Sequence, residues 1–191
     1  MSVQVSYKKQ IIFFIILIFI TLVITEGLVR YLDLENSTCA FMSQEVFEDF
    51  TTFEKESLCY EYNHIEFNII GAIKIPAPSQ GQYVNINSNG FRGNELDPQS
   101  TDYRIFFLGG STAFGFVTST DDFTIPALLE KKLKNTGMNV TVINAGIPGA
   151  NSMHERYYIE THIKKFSPNM IIMYDGWNDG SAYDYTNTYE E

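Results

Sequence analysis

Three loops along the chain each place polar groups directly after an apolar run. In the first, Ser111 follows two glycines and the run Ile105–Leu108. Glycine at 109 and 110 permits a sharp turn that a side chain would hinder. A serine at the carboxyl end of a buried strand lies where open α/β sheets bind their ligands, and its hydroxyl can attack an acyl carbonyl. This segment alone fits an ordinary strand-to-loop turn equally well.

Two later segments have the same pattern. Residues 140–149 form a β-branched run that ends in the glycine loop at Gly149, and residues 170–179 form an apolar run that ends at Asn178 and Asp179. With helical sequence between them, the order predicts three parallel strands joined by helical crossovers. If the first strand lies between the other two, as in the flavodoxin-like order, the three loops meet at one edge of the sheet.

Two helices are predicted between these strands from start and stop signals. The first has Pro126 in its first turn and runs to about Lys134. The second opens with Ser152 and Glu155 at the spacing of a capping box and ends before Pro168. We expect its apolar residues to form the buried side, namely Met153, Tyr157, Ile159, Ile163 and Phe166.

Taken in order, the loops resemble the sequence blocks of the SGNH or GDSL-type serine hydrolases. Gly-Gly-Ser111-Thr is similar to the first block, Asn-Ala-Gly-Ile-Pro-Gly149-Ala to the second and Gly-Trp-Asn178-Asp to the third. The resemblance spans roughly residues 103–181 and implies the family's fold, a three-layer, flavodoxin-like α/β arrangement around a parallel sheet. The sequence departs from the family at Gly110, where many members have aspartate.

A further string upstream, Asn-Ser-Asn-Gly-Phe-Arg-Gly at residues 87–93, resembles a segment that precedes the hydrolase core in membrane-anchored relatives. A polar turn around Asn89 and Gly90 explains the same string without any function.

The resemblance implies ester cleavage with Ser111 as the catalytic nucleophile. It places the oxyanion donors at the backbone N–H groups of Ser111 and Gly149 and at the side-chain amide of Asn178. One such donor is worth on the order of 10²- to 10³-fold in rate. Asn178 capping a turn is the alternative. The family needs no metal and no cofactor, and the sequence has no Cys/His spacing or carboxylate cluster that suggests a metal site.

The family's general base is a histidine in a late Asp-x-x-His motif, and the three histidines of this chain, His64, His154 and His162, lie in no such motif. His154, next to the predicted Gly149 loop, is the candidate substitute. We expect His162 to face solvent and His64 to be structural. Without a base, only oxyanion-hole and binding effects remain, roughly 10³- to 10⁴-fold over water, so we expect little turnover from the chain alone.

The predicted hydrolase region is short. A doubly wound domain typically takes roughly 100 to 200 residues, and the stretch from Arg104 to Glu191 is shorter than that. We therefore expect the sheet to be incomplete at the C-terminus, with residues 181–191 as part of an active-site loop.

The N-terminal segment predicts a membrane span. Ile11–Ile24 is interrupted only by Thr21, and extended through Val29 it reaches about 28 Å, close to the roughly 30 Å hydrocarbon layer. A cleaved signal peptide is the competing interpretation, but no Ala-x-Ala-like site follows, which favours an uncleaved anchor. Lys8 and Lys9 before the span predict a cytoplasmic N-terminus and an extracytoplasmic remainder.

These features divide the chain into a cytoplasmic tip and anchor at 1–30, an extracytoplasmic accessory or linker region at 31–100, and the hydrolase part at 101–191. In an oxidising compartment Cys39 and Cys59 can pair, which for a loop of about 20 residues is worth roughly 3 kcal/mol. Two separate buried thiols are the alternative. The net charge of −10 argues against binding nucleic acid.

The sequence therefore predicts a single-pass, membrane-anchored, outward-facing esterase of the SGNH type, and the family and the location together suggest O-acyl groups of a cell-surface glycan as substrate. Two functions of other classes remain open. One is a non-catalytic anchored module that binds glycan in an SGNH-like pocket. The other is a nucleotide or flavin-phosphate binder, although the Gly109–Gly115 loop lacks the Gly-Lys-Ser/Thr ending of a P-loop.

Overall fold

The computed structural model describes residues 6–31, 39 and 41–180. Two compact units make up the chain, Met1–Phe41 and Met42–Glu191. The predicted active-site loop at 181–191 lies outside the described residues.

The first unit contains one long helix, α1, Tyr7–Tyr31, which buries no residue within the structure. By length and composition it is apolar enough to cross a membrane, a property that it shares with signal sequences near an N-terminus. Its threonines bond within the helix, since the Thr21 and Thr25 hydroxyls each donate 2.8 Å bonds to the carbonyl four residues earlier. These hydroxyls therefore need no partner from outside the helix.

The second unit opens with small elements. A 3-10 helix at Glu45–Phe47 precedes α2, Thr52–Asn63, which begins with a capping box between Thr51 and Glu54. Two antiparallel pairs follow, formed by β1 with β2 and by β3 with β4; their bounds are Phe67–Ile70, Ile73–Pro76, Ser79–Gln80 and Asn85–Ile86. Neither Cys39 nor Cys59 is a free thiol in the structure.

A parallel sheet forms the centre of the second unit. Its strands are β5, β6 and β7, with bounds Tyr103–Gly109, Val140–Asn144 and Met170–Tyr174. The order is β6-β5-β7, and both pairings are parallel. The first of these strands thus lies between the other two, which is the flavodoxin-like order that brings the three loops to one edge of the sheet. Residues 105–109 of β5 are buried, as the unbroken apolar run requires.

The outer edge of β6 is covered by the upstream string at residues 87–93. Arg92 forms isolated bridges to Ile86 of β4 and to Asn144 of β6, and its N–H donates a 3.1 Å bond to the Asn144 carbonyl. This string thus continues the hydrogen bonding of the sheet, which protects an otherwise unpaired strand edge.

Helices pack on both faces of the sheet. They are α3, α4 and α5, with bounds Ser111–Phe114, Ile125–Asn135 and Ser152–Thr161, and a 3-10 helix at Ile163–Phe166 follows the last. One apolar cluster joins Phe106 and Leu108 to Tyr158 of α5, and a second joins Ile105 and Phe107 to Leu129 of α4. Successive side chains of β5 point to opposite faces of the sheet and so contribute to the core on both sides.

The prediction for α4 is confirmed, because it begins at Ile125 with Pro126 in the first turn and ends at Asn135. For α5, the cap is one residue earlier than predicted. Asn151 is the N-cap, and its partner in the capping box is His154, in place of Ser152 with Glu155.

Most of the predicted apolar stripe is confirmed, because Ile163 is buried and Tyr157, Ile159 and Phe166 pack against the core. The prediction for Met153 is wrong. Met153 is 77% exposed, whereas Glu155 is 2% exposed and Tyr158 is 1% exposed. The helix ends at Thr161, and Ile163 reaches the core from the following 3-10 helix.

Candidate active site

Ser111 is solvent-exposed at the carboxyl edge of the central strand. It is the first residue of α3, directly after β5 and Gly110. Its carbonyl oxygen accepts bonds from the N–H groups of Gly115 at 3.0 Å and Phe116 at 2.9 Å. The backbone of Ser111 is therefore fixed to the end of the same short helix.

The turn before Ser111 depends on glycine at position 109. Gly109 has a φ of +150°, and a Cβ there would overlap the Ala113 side chain and the Tyr174 carbonyl. The end of β5, the start of α3 and the end of β7 can come this close together only because the side chain is absent.

Gly149 lies in the loop between β6 and α5 and is exposed. Its φ is +79°, and no atom lies within 4 Å of where its Cβ would be. Glycine is required here by the backbone conformation and not by a lack of space. The neighbouring Ala150 N–H donates a 3.0 Å bond to Ile147 O, which holds the loop as a tight turn.

The side chain of Asn178 joins the three loops. Its Nδ2 donates a 2.6 Å hydrogen bond to the carbonyl of Ala150, the residue after Gly149. The same nitrogen lies against Gly110, where a Cβ would overlap it. The structure thus brings Asn178 to the residues adjacent to both Ser111 and Gly149. Because an asparagine amide carries two N–H donors, this bond leaves a second donor for a ligand.

A second contact ties the same loop to α5. The carboxylate of Asp179 accepts bonds from the backbone N–H and the hydroxyl of Ser152, at the start of the helix. Both bonds lower the pKa of Asp179, and the bond from the hydroxyl has the larger effect. An ionised carboxylate is favoured at this end of a helix, so the contact stabilises the position of the Asn178 loop.

Gly146 belongs to the site and was missed by the sequence interpretation. A Cβ at this position would overlap the Phe114 N and Ala113 C atoms of α3. Beside it, the buried Asn144 side chain donates a 3.0 Å bond to Phe114 O and accepts one of 3.1 Å from Gly146 N–H. The β6 loop therefore packs directly on the backbone of the helix that carries Ser111. The Asn-Ala-Gly string was the only signal for this contact.

Glu155 is the second residue that the sequence interpretation missed. Its side chain is buried in α5, beside the carboxyl group of Asp175. Burial is the main cause of a strongly raised pKa, to which the nearby carboxylates of Asp175 and Asp179 add. The raised pKa favours the protonated, neutral form of this carboxyl group.

The histidines have other partners. The Nδ1 of His154 accepts the N–H of Asn151 at 3.3 Å in the capping box, so a neutral ring has its hydrogen on Nε2. His64 lies at the end of α2, where its Nδ1 is 2.8 Å from Tyr60 O.

The expectation that His162 faces solvent is wrong. This residue follows the last turn of α5, stacks on Tyr158 at 5.1 Å and has its Nε2 3.0 Å from Asn89 O. Burial lowers its pKa. The side chain turns inward because α5 ends at Thr161 and the chain direction changes there.

Two further features lie apart from these loops. Within the described part of the chain, no group of three or more His, Cys, Asp or Glu residues could hold a metal ion. A cavity of about 1110 Å³ lies between residues 82–104 and α4, and Ser111, Gly149 and Asn178 do not line it.

Comparison with known proteins gives a limited likeness. No family model and no curated protein matches the chain. Two solved structures, of AlinE4, described as an SGNH-hydrolase family esterase, and of a mutant of it, are each 26% identical to the aligned part of the chain. Each alignment covers 42% of this chain and 43% of the esterase, with TM-scores of 0.39 and 0.38. The chain thus spans less than half the length of these structures.

Proposed function

We propose that this chain carries the nucleophile and oxyanion hole of a membrane-anchored SGNH-type esterase. The observation that supports the proposal most is the position of the Asn178 amide, bonded to Ala150 O and packed on Gly110. It connects three separate loops at the carboxyl edge of the sheet, on the residues next to Ser111 and Gly149. A convergence of donors around an exposed hydroxyl is what acyl transfer requires.

In the proposed reaction the Ser111 hydroxyl attacks the ester carbonyl carbon. The hydroxyl proton passes to a base, and the carbonyl oxygen becomes an anion that accepts bonds from Ser111 N–H, Gly149 N–H and Asn178 Nδ2. Collapse of this intermediate breaks the bond to the alcohol, which leaves with a proton. Water then hydrolyses the acyl-serine and restores the hydroxyl.

The proposal does not assign the base to His64, His154 or His162. His64 lies at the end of α2, where it stacks on Tyr60 and its Nδ1 is bonded to Tyr60 O. Both ring nitrogens of His162 have partners, since Nε2 is 3.0 Å from Asn89 O and Nδ1 is 3.3 Å from Lys165 Nζ. The ring of His154 accepts an N–H through Nδ1, which leaves Nε2 protonated when the ring is neutral.

The location and substrate class follow from the N-terminal segment and the family resemblance. If α1 is an uncleaved anchor, Lys8 and Lys9 place its start in the cytoplasm and the Ser111 loop outside. An ester outside the membrane and near the cell surface is the expected substrate, and O-acyl groups on glycan fit both conditions. The net charge of −10 disfavours anionic nucleic acid as a partner.

A fluorophosphonate probe tests the proposal on the full chain, with imidazole added to the buffer as proton acceptor, because none of the three histidines is assigned as the base. Attack by the Ser111 oxygen forms an O–P bond, fluoride leaves, and the serine proton passes to base or solvent. We expect peptide mass spectrometry to find the adduct on Ser111, and Ser111→Ala to abolish it. Thr112→Ala is the matched control, because it removes a neighbouring exposed hydroxyl and should leave labelling intact. An unlabelled Ser111 in folded protein would reject the proposal and favour the glycan-binding module.

A further inference from the structure

Arg92 is a fully buried cation that the sequence interpretation left without a role. It lies in the string at residues 87–93, and its side chain is 0% exposed. Burying a guanidinium is costly unless the charge is paired and its N–H groups are bonded. The partners of this side chain therefore indicate what the structure gains by keeping it inside.

Each nitrogen of the Arg92 guanidinium donates at least one hydrogen bond. Its Nε donates a 2.7 Å bond to Asp121 Oδ1, and Nη1 donates a 2.8 Å bond to Gly115 O. Nη1 also contacts the Tyr62 hydroxyl at 3.1 Å, and Nη2 contacts Tyr83 O at 3.3 Å. The group thus links four chain segments, and one of them is the end of α3.

Aromatic rings enclose the same cation. The guanidinium carbon lies 5.6 Å from the Tyr62 ring centroid and 5.2 Å from that of Phe114, the last residue of α3. Cation–π attraction is stronger where water is excluded, so these rings add to the binding of the charge.

The helix that carries Ser111 needs support from outside itself. α3 has only four residues, too few for a helix to be stable on its own. Its last carbonyl groups have no partners within the helix and must be bonded elsewhere. Gly115 O accepts bonds from Arg92 Nη1 and the Tyr62 hydroxyl, at 2.8 and 2.9 Å, and also from the N–H and hydroxyl of Thr118 in the following turn.

The support also reaches Ser111 directly. Gly115 and Phe116 donate their N–H groups to Ser111 O, so a shift of this end of α3 moves the serine backbone. Arg92 is itself fixed, because its N–H bonds to Asn144 O on β6. The contacts therefore form a continuous connection from the sheet through Arg92 to the turn of Ser111.

We infer that Arg92, held by Asp121, is a positioning residue for the nucleophile turn. That Arg92 supports catalysis rests on the proposed function. That it keeps residues 111–116 ordered does not. Lysine cannot replace the arginine, because a single ammonium cannot bond Asp121, Gly115 and Tyr83 at their separate positions.

The first experiment measures how well residues 113–118 are ordered and requires no reaction at Ser111. Hydrogen exchange followed by mass spectrometry compares the full-length parent with Arg92→Lys and Tyr62→Phe, which removes one hydroxyl and keeps the ring. We expect amides of 113–118 to exchange about tenfold faster in both variants, while those of 155–163 change little. The milder Tyr62→Phe keeps the test valid if Arg92→Lys does not fold.

Arg104→Lys is the matched control. Arg104 also bonds backbone carbonyls, those of Phe166 and Ser100 at 3.1 Å each, but it does not touch α3. Its replacement should leave exchange at 113–118 unchanged. Equal protection of that segment in the parent, Arg92→Lys and Tyr62→Phe would overturn the inference.

The second experiment measures the rate of fluorophosphonate labelling at Ser111 as a function of probe concentration. We expect the maximal labelling rate to fall about 10- to 100-fold in Arg92→Lys with the half-saturating concentration unchanged, because displacement by about 1 Å has a cost of this order. A parent chain that is not labelled would reject the proposed function, and the exchange data would still decide the role of Arg92. Normal labelling in Arg92→Lys would reject the positioning role.

Discussion

The Nδ2 atom of Asn178 donates a 2.6 Å hydrogen bond to the carbonyl oxygen of Ala150 and occupies the space beside Gly110 that a Cβ would need. The missing side chain at position 110 is what allows the amide to sit between the first and second loops. The glycine at position 110 and the position of Asn178 are therefore one structural feature.

Gly110→Ala should displace the Asn178 amide. The φ of Gly110 is negative, at −77°, and the expected effect is the overlap of the added methyl group with Nδ2. We expect fluorophosphonate labelling of Ser111 to slow about 10²-fold, the order of magnitude for losing one oxyanion donor. A double-mutant cycle with Asn178→Ala provides the control. If Gly110→Ala slows labelling equally with and without Asn178, the two residues are not coupled and this account of Gly110 is wrong.

Gly146→Ala should disturb α3 from the other side. The added methyl overlaps the Phe114 N and Ala113 C atoms, which are backbone and cannot rotate away. Overpacking of this kind typically costs about 1–3 kcal/mol in the free energy of unfolding. Chemical denaturation measures that cost, and hydrogen exchange at 113–118 measures the local effect. An unchanged free energy of unfolding would contradict the close packing of Gly146 on α3.

Glu155→Gln should change how stability depends on pH. Burial, together with the Asp175 and Asp179 charges, raises the pKa of Glu155 in the folded protein, whereas the unfolded chain has an ordinary pKa near 4.5. At pH values between the unfolded and the folded pKa of Glu155, the folded state binds more protons than the unfolded state. The contribution of Glu155 to the free energy of unfolding is therefore fully present below the unfolded pKa and is lost as pH rises through the folded pKa. The slope from this group is at most about 1.4 kcal/mol per pH unit.

The measurement is urea denaturation of the parent and Glu155→Gln at several values from pH 5 to 9. We expect the variant to be relatively more stable at the alkaline end, since glutamine cannot ionise. Glu160→Gln, a change at an exposed position on the same helix, should follow the parent. Parallel curves for the parent and Glu155→Gln would show that Glu155 is ionised in the folded state.

The N-terminal helix gives a prediction about processing. An uncleaved anchor retains α1, so intact-mass measurement of the membrane fraction should find residues 7–31 in the mature chain. The full chain should stay with the membranes after an alkaline carbonate wash. Deleting residues 1–31 should leave the protein in the wash supernatant. A mature chain that begins after α1 would identify the segment as a signal peptide.

The sheet could be predicted because its strands are marked by strong local patterns. Ile105–Leu108 has no polar alternation, so a central strand was the consistent interpretation, and the structure places β5 between β6 and β7. Pro126 similarly marks the start of α4. These signals act within a few residues, where sequence determines structure directly.

The cap of α5 shows a limit of local patterns. Asn151 and Ser152 are both good N-caps, and choosing between them depends on contacts with distant residues. Ser152 instead bonds Asp179, which lies 27 residues later.

Arg92 and Glu155 could not be predicted for the same physical reason. A charged residue is expected at the surface unless its partner is known. The partners here are brought by tertiary packing, from Asp121 and Gly115 in one case and from Asp175 in the other.

The most direct test of the whole account is a crystal structure of the protein after reaction with a fluorophosphonate. We predict a bond from the phosphorus to Ser111 Oγ and a phosphoryl oxygen about 2.7–3.1 Å from Ser111 N, Gly149 N and Asn178 Nδ2. A phosphoryl oxygen that points to solvent, with Gly149 and Asn178 out of hydrogen-bonding reach, would contradict the proposed oxyanion hole.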